Sequence, residues 1–245
     1  MGTNRVDAGM VEFKRPTLSR LRKLLANAGR ISVLRCLEYE RLTELKLTGR
    51  VLDFGGGSKT NYADQVAGWG NSVGGFEYQS ANIDPRTEPT YLLQPGAPLP
   101  CETESFDTVL SFNTFEHIYD VTTVLHDIHR VMKKGGQIMY IVPFIFRVHG
   151  HPSDFSRHTP AYWQQKLAET GFTVTNIEVL HWGPFSVAST VAGLPGPFKK
   201  TRLRLSLILD FLLSLRHRND GRVKFEQDHA LVNSPMGYFV TATRG

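Results

Sequence analysis

Two stretches of this chain carry residue types that bind and react. In Val51-Leu52-Asp53-Phe54-Gly55-Gly56-Gly57-Ser58-Lys59, a short apolar run meets a carboxylate and then three glycines. Glycines at the end of a buried strand let the backbone pass close to a ligand and turn N–H groups toward it, and a carboxylate there accepts from an amine or a ribose hydroxyl. That chemistry is capture of a nucleotide-type cofactor, although Gly-x-Gly after a strand also serves plain tight turns. The second stretch, from Pro143 to Pro160, sets His149, His151, His158, Asp154, Arg147 and Arg157 among aromatics. Imidazole titrates near neutral pH, so His151, His149 or His158 is the general base expected if the group to be activated is a hydroxyl. Arg157 and Asp154 lie three apart and either hold an acidic or hydroxylated acceptor or pair with each other. A structural loop and a zinc site are the remaining readings of this stretch. Its histidine spacing matches no familiar ligand pattern, and the reading adopted has no metal.

These stretches need elements to position them. Ser80-Ala81-Asn82-Ile83-Asp84-Pro85 reads as a strand ending in an acid, near the spacing at which α/β folds present a carboxylate to a ribose. Ser105–Asn113 and Gly136–Val142 read as two further strands, with a short one at Thr90–Leu93. Val121, Val124, Leu125, Ile128, Val131 and Met132 mark one face of a helix closed by Lys133-Lys134-Gly135-Gly136. Thr159-Pro160 opens another helix with Trp163 and Leu167 inward, Phe172–Val179 alternates as a strand, and Tyr238–Thr243 is the last strand. Residues 1–16 read as a loose arm, followed by helices bearing Leu18, Leu21, Leu24 and Leu25 and then Ile31, Leu34, Leu37 and Leu42. Tyr62–Gly70 gives a short helix at most. Alternating strands and helices predict a parallel sheet that binds ligands beyond the carboxyl ends of its strands, where both reactive stretches fall.

Taken in order, the glycine turn, the acid at Asp84, the strand carrying Asp107, the Glu116-His117 pair and the helix ending Lys-Gly-Gly resemble the class I S-adenosylmethionine-dependent methyltransferases, and among them the small-molecule, type 11-like enzymes. The resemblance covers about residues 50–180 plus the last strand. It implies a Rossmann-like, doubly wound, mostly parallel sheet with an antiparallel last strand, N-terminal helices and a helical insertion before that strand. The expected division is an arm and helical cap at 1–49, a cofactor-binding core at 50–180, an insertion at 181–235 and the last strand at 236–245. It further implies S-adenosylmethionine with Gly55, Gly56 and Gly57 along its amino-acid side, Asp53 near the amine, Asp84 on the ribose and Asn113 nearby. Family members place an Asp ahead of a Leu-Pro pair to bind adenine; this chain has Pro95 and Gly96 there, which leaves Gln94, backbone groups or apolar side chains for that task. Lys59 replaces the family's third glycine and either meets the methionine end or faces solvent. His117, Asp154 and Arg157 are the expected acceptor-binding residues. The run His-x-His-Pro-x-Asp-Phe-x-Arg-x-Thr is similar to one in methyltransferases of surface-glycan and secondary-metabolite pathways. Ser111-Phe112-Asn113-Thr114-Phe115 lacks the Pro-Pro-aromatic motif of enzymes that methylate nucleobase or glutamine amino groups, so the expected acceptor atom is oxygen or carbon of a small molecule or of a glycan or glycolipid. Two other classes stay open. A nicotinamide-dependent oxidoreductase needs glycine where Thr60 stands, and a non-catalytic, membrane-associated protein with the same fold is suggested by the composition near residue 209.

With 245 residues and 41% hydrophobic content the chain can bury one large core. Its 28 Lys plus Arg against 23 Asp plus Glu permit acidic partners without demanding nucleic acid, and none is expected. Cys36 and Cys101 stand in no metal or redox spacing, and Met1–Asp7 is polar, unlike a signal peptide. A cytoplasmic location is expected. The helix at about residues 200–218 is apolar nearly all round between basic flanks. Burial in the domain or in a homodimer is one expectation, and peripheral contact with the inner face of a membrane is the other, since the helix is shorter than the roughly 20 residues a span needs.

Overall fold

The computed structural model describes residues 9–60, 62, 75–150, 152–217, 219–225, 229 and 231–245. Its strands are β1 (Met10–Phe13), β2 (Gly49–Phe54), β3 (Phe76–Asn82), β4 (Tyr91–Leu92), β5 (Phe106–Phe112), β6 (Met132–Pro143), β7 (Phe172–Leu180), β8 (Gly221–Lys224) and β9 (Gly237–Arg244). They form one sheet in the order β4-β3-β2-β5-β6-β9-β7-β1-β8. Strands β4, β3, β2, β5 and β6 run parallel, and β9 lies antiparallel between β6 and β7. The helices are α1 (Leu18–Asn27), α2 (Val33–Leu42), α3 (Val121–Val131), α4 (Pro160–Glu169), α5 (Pro184–Val191) and α6 (Lys199–Ser214).

The central strands are apolar on consecutive residues because both faces of the sheet are covered. Leu52, Val109, Ile138 and Tyr140 pack with α3 and α4, through Leu125, Ile128, Trp163 and Leu167. Their neighbours Val51, Leu110 and Ile141 face the other way, into α1, α2 and α6. Four helices begin where a side-chain oxygen satisfies a free N–H of the first turn: Thr17 accepts from Arg20, Ser32 from Arg35, Asp120 from Thr123 and Thr159 from Tyr162.

The structure departs from the sequence reading in three places. Residues 10–13 are strand rather than loose arm: β1 pairs parallel with β7, and β8, from the stretch expected to be a helical insertion, pairs antiparallel with β1. A four-residue strand carries too little periodicity to be read alone, and the unpaired edge of β7 selects it. Helix α3 ends at Val131, and Lys133-Lys134-Gly135-Gly136 already belongs to β6, where Lys133 Nζ sits 2.9 Å from both carboxylate oxygens of Asp107. Helix α6 is buried along one stripe, Leu203, Leu207, Asp210 and Ser214. Asp210 fixes that stripe by accepting the Phe185 and Ser186 N–H groups at the start of α5, at 2.9 and 2.8 Å. The short helix expected at Tyr62–Gly70 lies, apart from Tyr62, outside the described residues.

Candidate active site

From β2 the chain builds β3 and β4 to one side and later β5 and β6 to the other, so strand order reverses between β2 and β5. A crevice opens beyond the carboxyl ends of such strands. Here it is a cleft of about 1350 Å³ walled by the turns after β2, β3 and β5 and by the loop after β6. The turn after β2 starts with Gly55 at φ +93, a conformation that favours glycine, and its N–H donates to Ala81 O at 2.7 Å. The Asn82 amide donates to Gly55 O at 2.6 Å and fixes the turn against β3. A Cβ on Gly56 would overlap the Asp53 carboxylate, and one on Gly57 would overlap Thr87. Gly55, Lys59, Asn82, Asp84 and Asn113 all lie on the cleft wall. Asn113, at the end of β5, has φ 52, and its N–H donates to Ile141 O at 2.8 Å.

Two cofactor expectations change. Asp53 is fully buried beneath the turn and does not line the cleft; its Oδ2 accepts the Tyr62 and Tyr78 hydroxyls at 2.8 and 2.6 Å. Burial pushes its carboxyl up to about 6, with the two tyrosine bonds pulling the other way. Its direct action is on the shape of the turn, not on a ligand amine. Gln94 is exposed and off the cleft wall, which takes its neighbours Leu93 and Pro95 instead, because the Gln94 carbonyl closes a turn to Ala97 N. Asp84 is on the wall, with its carboxylate held by the Arg86 N–H and guanidinium at 2.8–3.1 Å.

The other end of the cleft is polar. Glu116 and His117 sit on the short turn Phe115–His117 directly after β5, and His149 sits on the loop after β6, the neighbouring strand. The histidine rings meet edge to face with centroids 5.1 Å apart. His117 Nδ1–H donates to Ser153 O at 2.6 Å, and Phe155 N–H donates to Glu116 O at 2.8 Å, so loop and turn are tied twice. His149 Nδ1 lies 3.1 Å from Arg147 O and 3.3 Å from Asp154 Oδ2, two acceptors that place the proton on Nδ1. Both Nε2 atoms are then lone-pair nitrogens. Glu116 is 2% exposed, its Oε1 is 3.7 Å from His117 Nε2, and among the described residues neither carboxylate oxygen has a hydrogen-bond partner. Burial pushes Glu116 up to about 8, opposed in part by its own backbone N–H and then by the Arg157 charge. Burial also moves His117 below the usual imidazole value, against the carbonyl bond from Ser153 that raises it.

Asp154, Arg157 and His158 do not face the cleft. Arg157 grips Asp154 with two nitrogens at 2.5 and 2.6 Å, and Asp154 also accepts His149 N–H at 2.9 Å. Burial would raise the Asp154 carboxyl, but these donors hold it down to about 2. The pair shapes the loop that carries His149. His158 stacks on Tyr162 at 3.6 Å and packs edge-on to Trp163, which removes it from the candidate bases. His151 lies outside the described residues.

Several residues on or behind the wall were given no role from the sequence: Arg35 from α2, Tyr62, and the buried acids Glu38 and Glu116, the last read only as part of the motif series. Only Glu116 left a trace, as one carboxylate between Phe115 and Ile118 just past a strand. The donor set fits S-adenosylmethionine. The glycine turn and Lys59 suit its amino-acid end, Asp84 its ribose, and Ile83, Leu93 and Pro95 its adenine face.

A family model described as a methyltransferase domain matches residues 52–140, from β2 into β6. A search of curated protein sequences found no match. Among solved structures, a chain from the complex containing the Haloferax volcanii Trm112 methyltransferase activator shares the fold with a TM-score of 0.54 at 13% identity, over 92% of this chain and 94% of that one. Geranyl diphosphate C-methyltransferase from Streptomyces coelicolor A3(2), in complex with Mg2+, geranyl-S-thiolodiphosphate and S-adenosyl-L-homocysteine, gives 0.50 at 12% identity, over 85% and 75%. The matched methyltransferase domain spans the glycine turn, Asp84 and His117 of the cleft wall and the adjoining Glu116, and it supports a class I S-adenosylmethionine-dependent methyltransferase.

Proposed function

We propose that this enzyme methylates a hydroxyl oxygen of a small molecule or of a glycan- or glycolipid-type acceptor, held at the end of the cleft formed by Glu116, His117 and His149. When bound, S-adenosylmethionine supplies a methyl group already activated by its sulfonium, so the chain's own task is to align the acceptor and exclude water. The observation that carries the reading is the chemistry of that end. The Glu116 carboxyl has no hydrogen-bond partner among the described residues, and the two imidazole lone pairs beside it suit a group that donates a hydrogen bond. A hydroxyl does this and remains a nucleophile through its oxygen. Exposed Phe155, together with Ile118, lines the same cleft and suits an apolar portion of the acceptor, such as a lipid chain or an aromatic ring.

The test is incubation with methyl-labelled cofactor and panels of glycans, glycolipids and phenolic metabolites, followed by location of the label. Label on an acceptor oxygen supports the reading; label on carbon or nitrogen overturns the oxygen assignment. A second proposal concerns where the acceptor is met. On α6, Leu205, Leu209 and Leu212 are 56, 40 and 53% exposed on the face opposite the buried stripe, near Lys199, Lys200, Arg202 and Arg204. An apolar ridge with a basic flank suits the surface of an anionic membrane, from which a lipid-linked acceptor would be drawn. No helix among the described residues is long and apolar enough to cross a membrane.

A further inference from the structure

Glu116, His117 and His149 come from two loops far apart in sequence, yet one ligand atom from each lies within 4.8 Å of the other two. Glu116 is nearly sealed from solvent, with both oxygens unpartnered among the described residues and one of them 3.7 Å from His117 Nε2. Burying a carboxylate with no donor is expensive, and the group that best offsets it is a positive charge in contact. Arg157, the nearest guanidinium on this loop, is spent on Asp154. The histidines are prepared for the same purpose. Each gives its Nδ1–H to a backbone carbonyl, Ser153 for His117 and Arg147 for His149, which fixes the tautomer with Nε2 as lone pair. Outer hydrogen bonds of this type orient histidines that bind metals. Bonds of about 2.0–2.2 Å to nitrogen and oxygen set ligand atoms about 3.3–3.5 Å apart in a tetrahedron. The Glu116–His117 pair is near that spacing already, and His149, on an exposed loop with a side chain 39% exposed, needs to close by about 1 Å to join them.

We propose that Glu116, His117 and His149 bind a single divalent transition-metal ion of the kind that two imidazoles and one carboxylate select, such as Zn2+, Co2+, Fe2+ or Mn2+. Three protein ligands leave an open coordination position, and because His117 and His149 line the cleft, that position faces the acceptor. An acceptor hydroxyl held there would give up its proton to solvent water more readily, so that its oxygen could take the methyl group as the methyl–sulfur bond breaks and S-adenosylhomocysteine leaves. The proposal rests on the acceptor-site reading for its catalytic consequence. The metal site itself is tested without turnover.

The experiment strips the full chain with chelator and titrates it with Co2+, followed by visible absorption, and with Zn2+, followed by calorimetry. The expected result is one equivalent bound with a d–d band, reduced at least tenfold in affinity by Glu116→Gln and at least 100-fold by His117→Ala and by His149→Ala. S-adenosylmethionine affinity should change less than threefold, which also shows that each variant is folded. If His117→Ala or His149→Ala fails that check, Glu116→Gln, which keeps the side-chain size, decides the matter. Absence of a d–d band with the wild-type protein overturns the site. So does full binding by the three variants, which would move the metal elsewhere, for instance to the His217–His229 pair whose rings lie 4.6 Å apart. Metal binding as expected, with methyl label never found on oxygen, would leave the site standing and sink the acceptor reading alone.

Discussion

Replacing Asp53 with asparagine should make this protein more stable at neutral pH and less stable in acid, an inversion that follows from one buried carboxyl. Asp53 is fully buried, and burial lifts its pKa from 3.8 to about 6. The unfolded chain releases that proton first, so between these values the folded state holds more protons, and stability falls as pH rises. The contribution is intact below about pH 3.8, is lost as pH climbs to about 6, and stays lost above it. At about 1.4 kcal/mol per pH unit, wild type forfeits roughly 3 kcal/mol across the window, most of it between pH 4 and pH 8. The Asp53→Asn variant forfeits none of this. Its amide oxygen can take both tyrosine hydroxyls in place of Oδ2, and its NH2 then occupies the position of the unpartnered Oδ1, at a cost of about 1–3 kcal/mol at every pH. Because other titrating groups are common to both proteins, the variant-minus-wild-type difference isolates Asp53. Urea unfolding at pH 4 and pH 8 should show that difference moving by about 2–3 kcal/mol in favour of the variant, or about 5–10 °C in Tm for a chain of this size. A difference that is the same at both pH values, within about 1 kcal/mol, would show that the carboxyl is not held in a desolvated, raised-pKa state.

Other outcomes follow from the loop and from α6. Arg157→Ala leaves the Asp154 carboxylate buried without its partner; because Arg157 is one-fifth exposed the loss is set at the low end for such pairs, about 2–3 kcal/mol, measured by urea unfolding, with recovery when Asp154→Asn is added. S-adenosylmethionine affinity should be nearly unchanged in Arg157→Ala, and a large loss would place Arg157 in the cofactor site. Leu207→Ala, at a fully buried position, should cost about 2–5 kcal/mol, whereas Leu205→Ala on the exposed face should cost less than about 1 kcal/mol; equal costs would contradict the one-sided burial of α6. The combined Leu205→Glu, Leu209→Glu and Leu212→Glu variant should lose sedimentation with phosphatidylserine vesicles while its unfolding midpoint stays put. Unchanged vesicle binding removes the membrane proposal, and a shift from dimer to monomer in its place assigns the ridge to self-association.

What one sequence determined here was local. The apolar runs at Val51, Val109 and Ile138 read as strands, three glycines after an acid read as a close turn, and Thr159-Pro160 marked a helix start. Those signals sit within a few residues of each other, so periodicity and turn chemistry expose them, and with the cleft at the strand ends they amount to the fold of the domain. Three things were settled only by tertiary contact. Strand β1 exists because β7 offers an edge, not because four residues demand it. The carboxylates took roles that folding decided: Asp53, which read as available to a ligand, turned inward to Tyr62 and Tyr78, and of the two roles open to Asp154 the pairing with Arg157 prevailed. The Glu116, His117 and His149 cluster was hidden for the same reason. Its members are separated by the whole of α3 and β6, and no ligand spacing appears until the parallel pairing of β5 with β6 sets their two loops side by side.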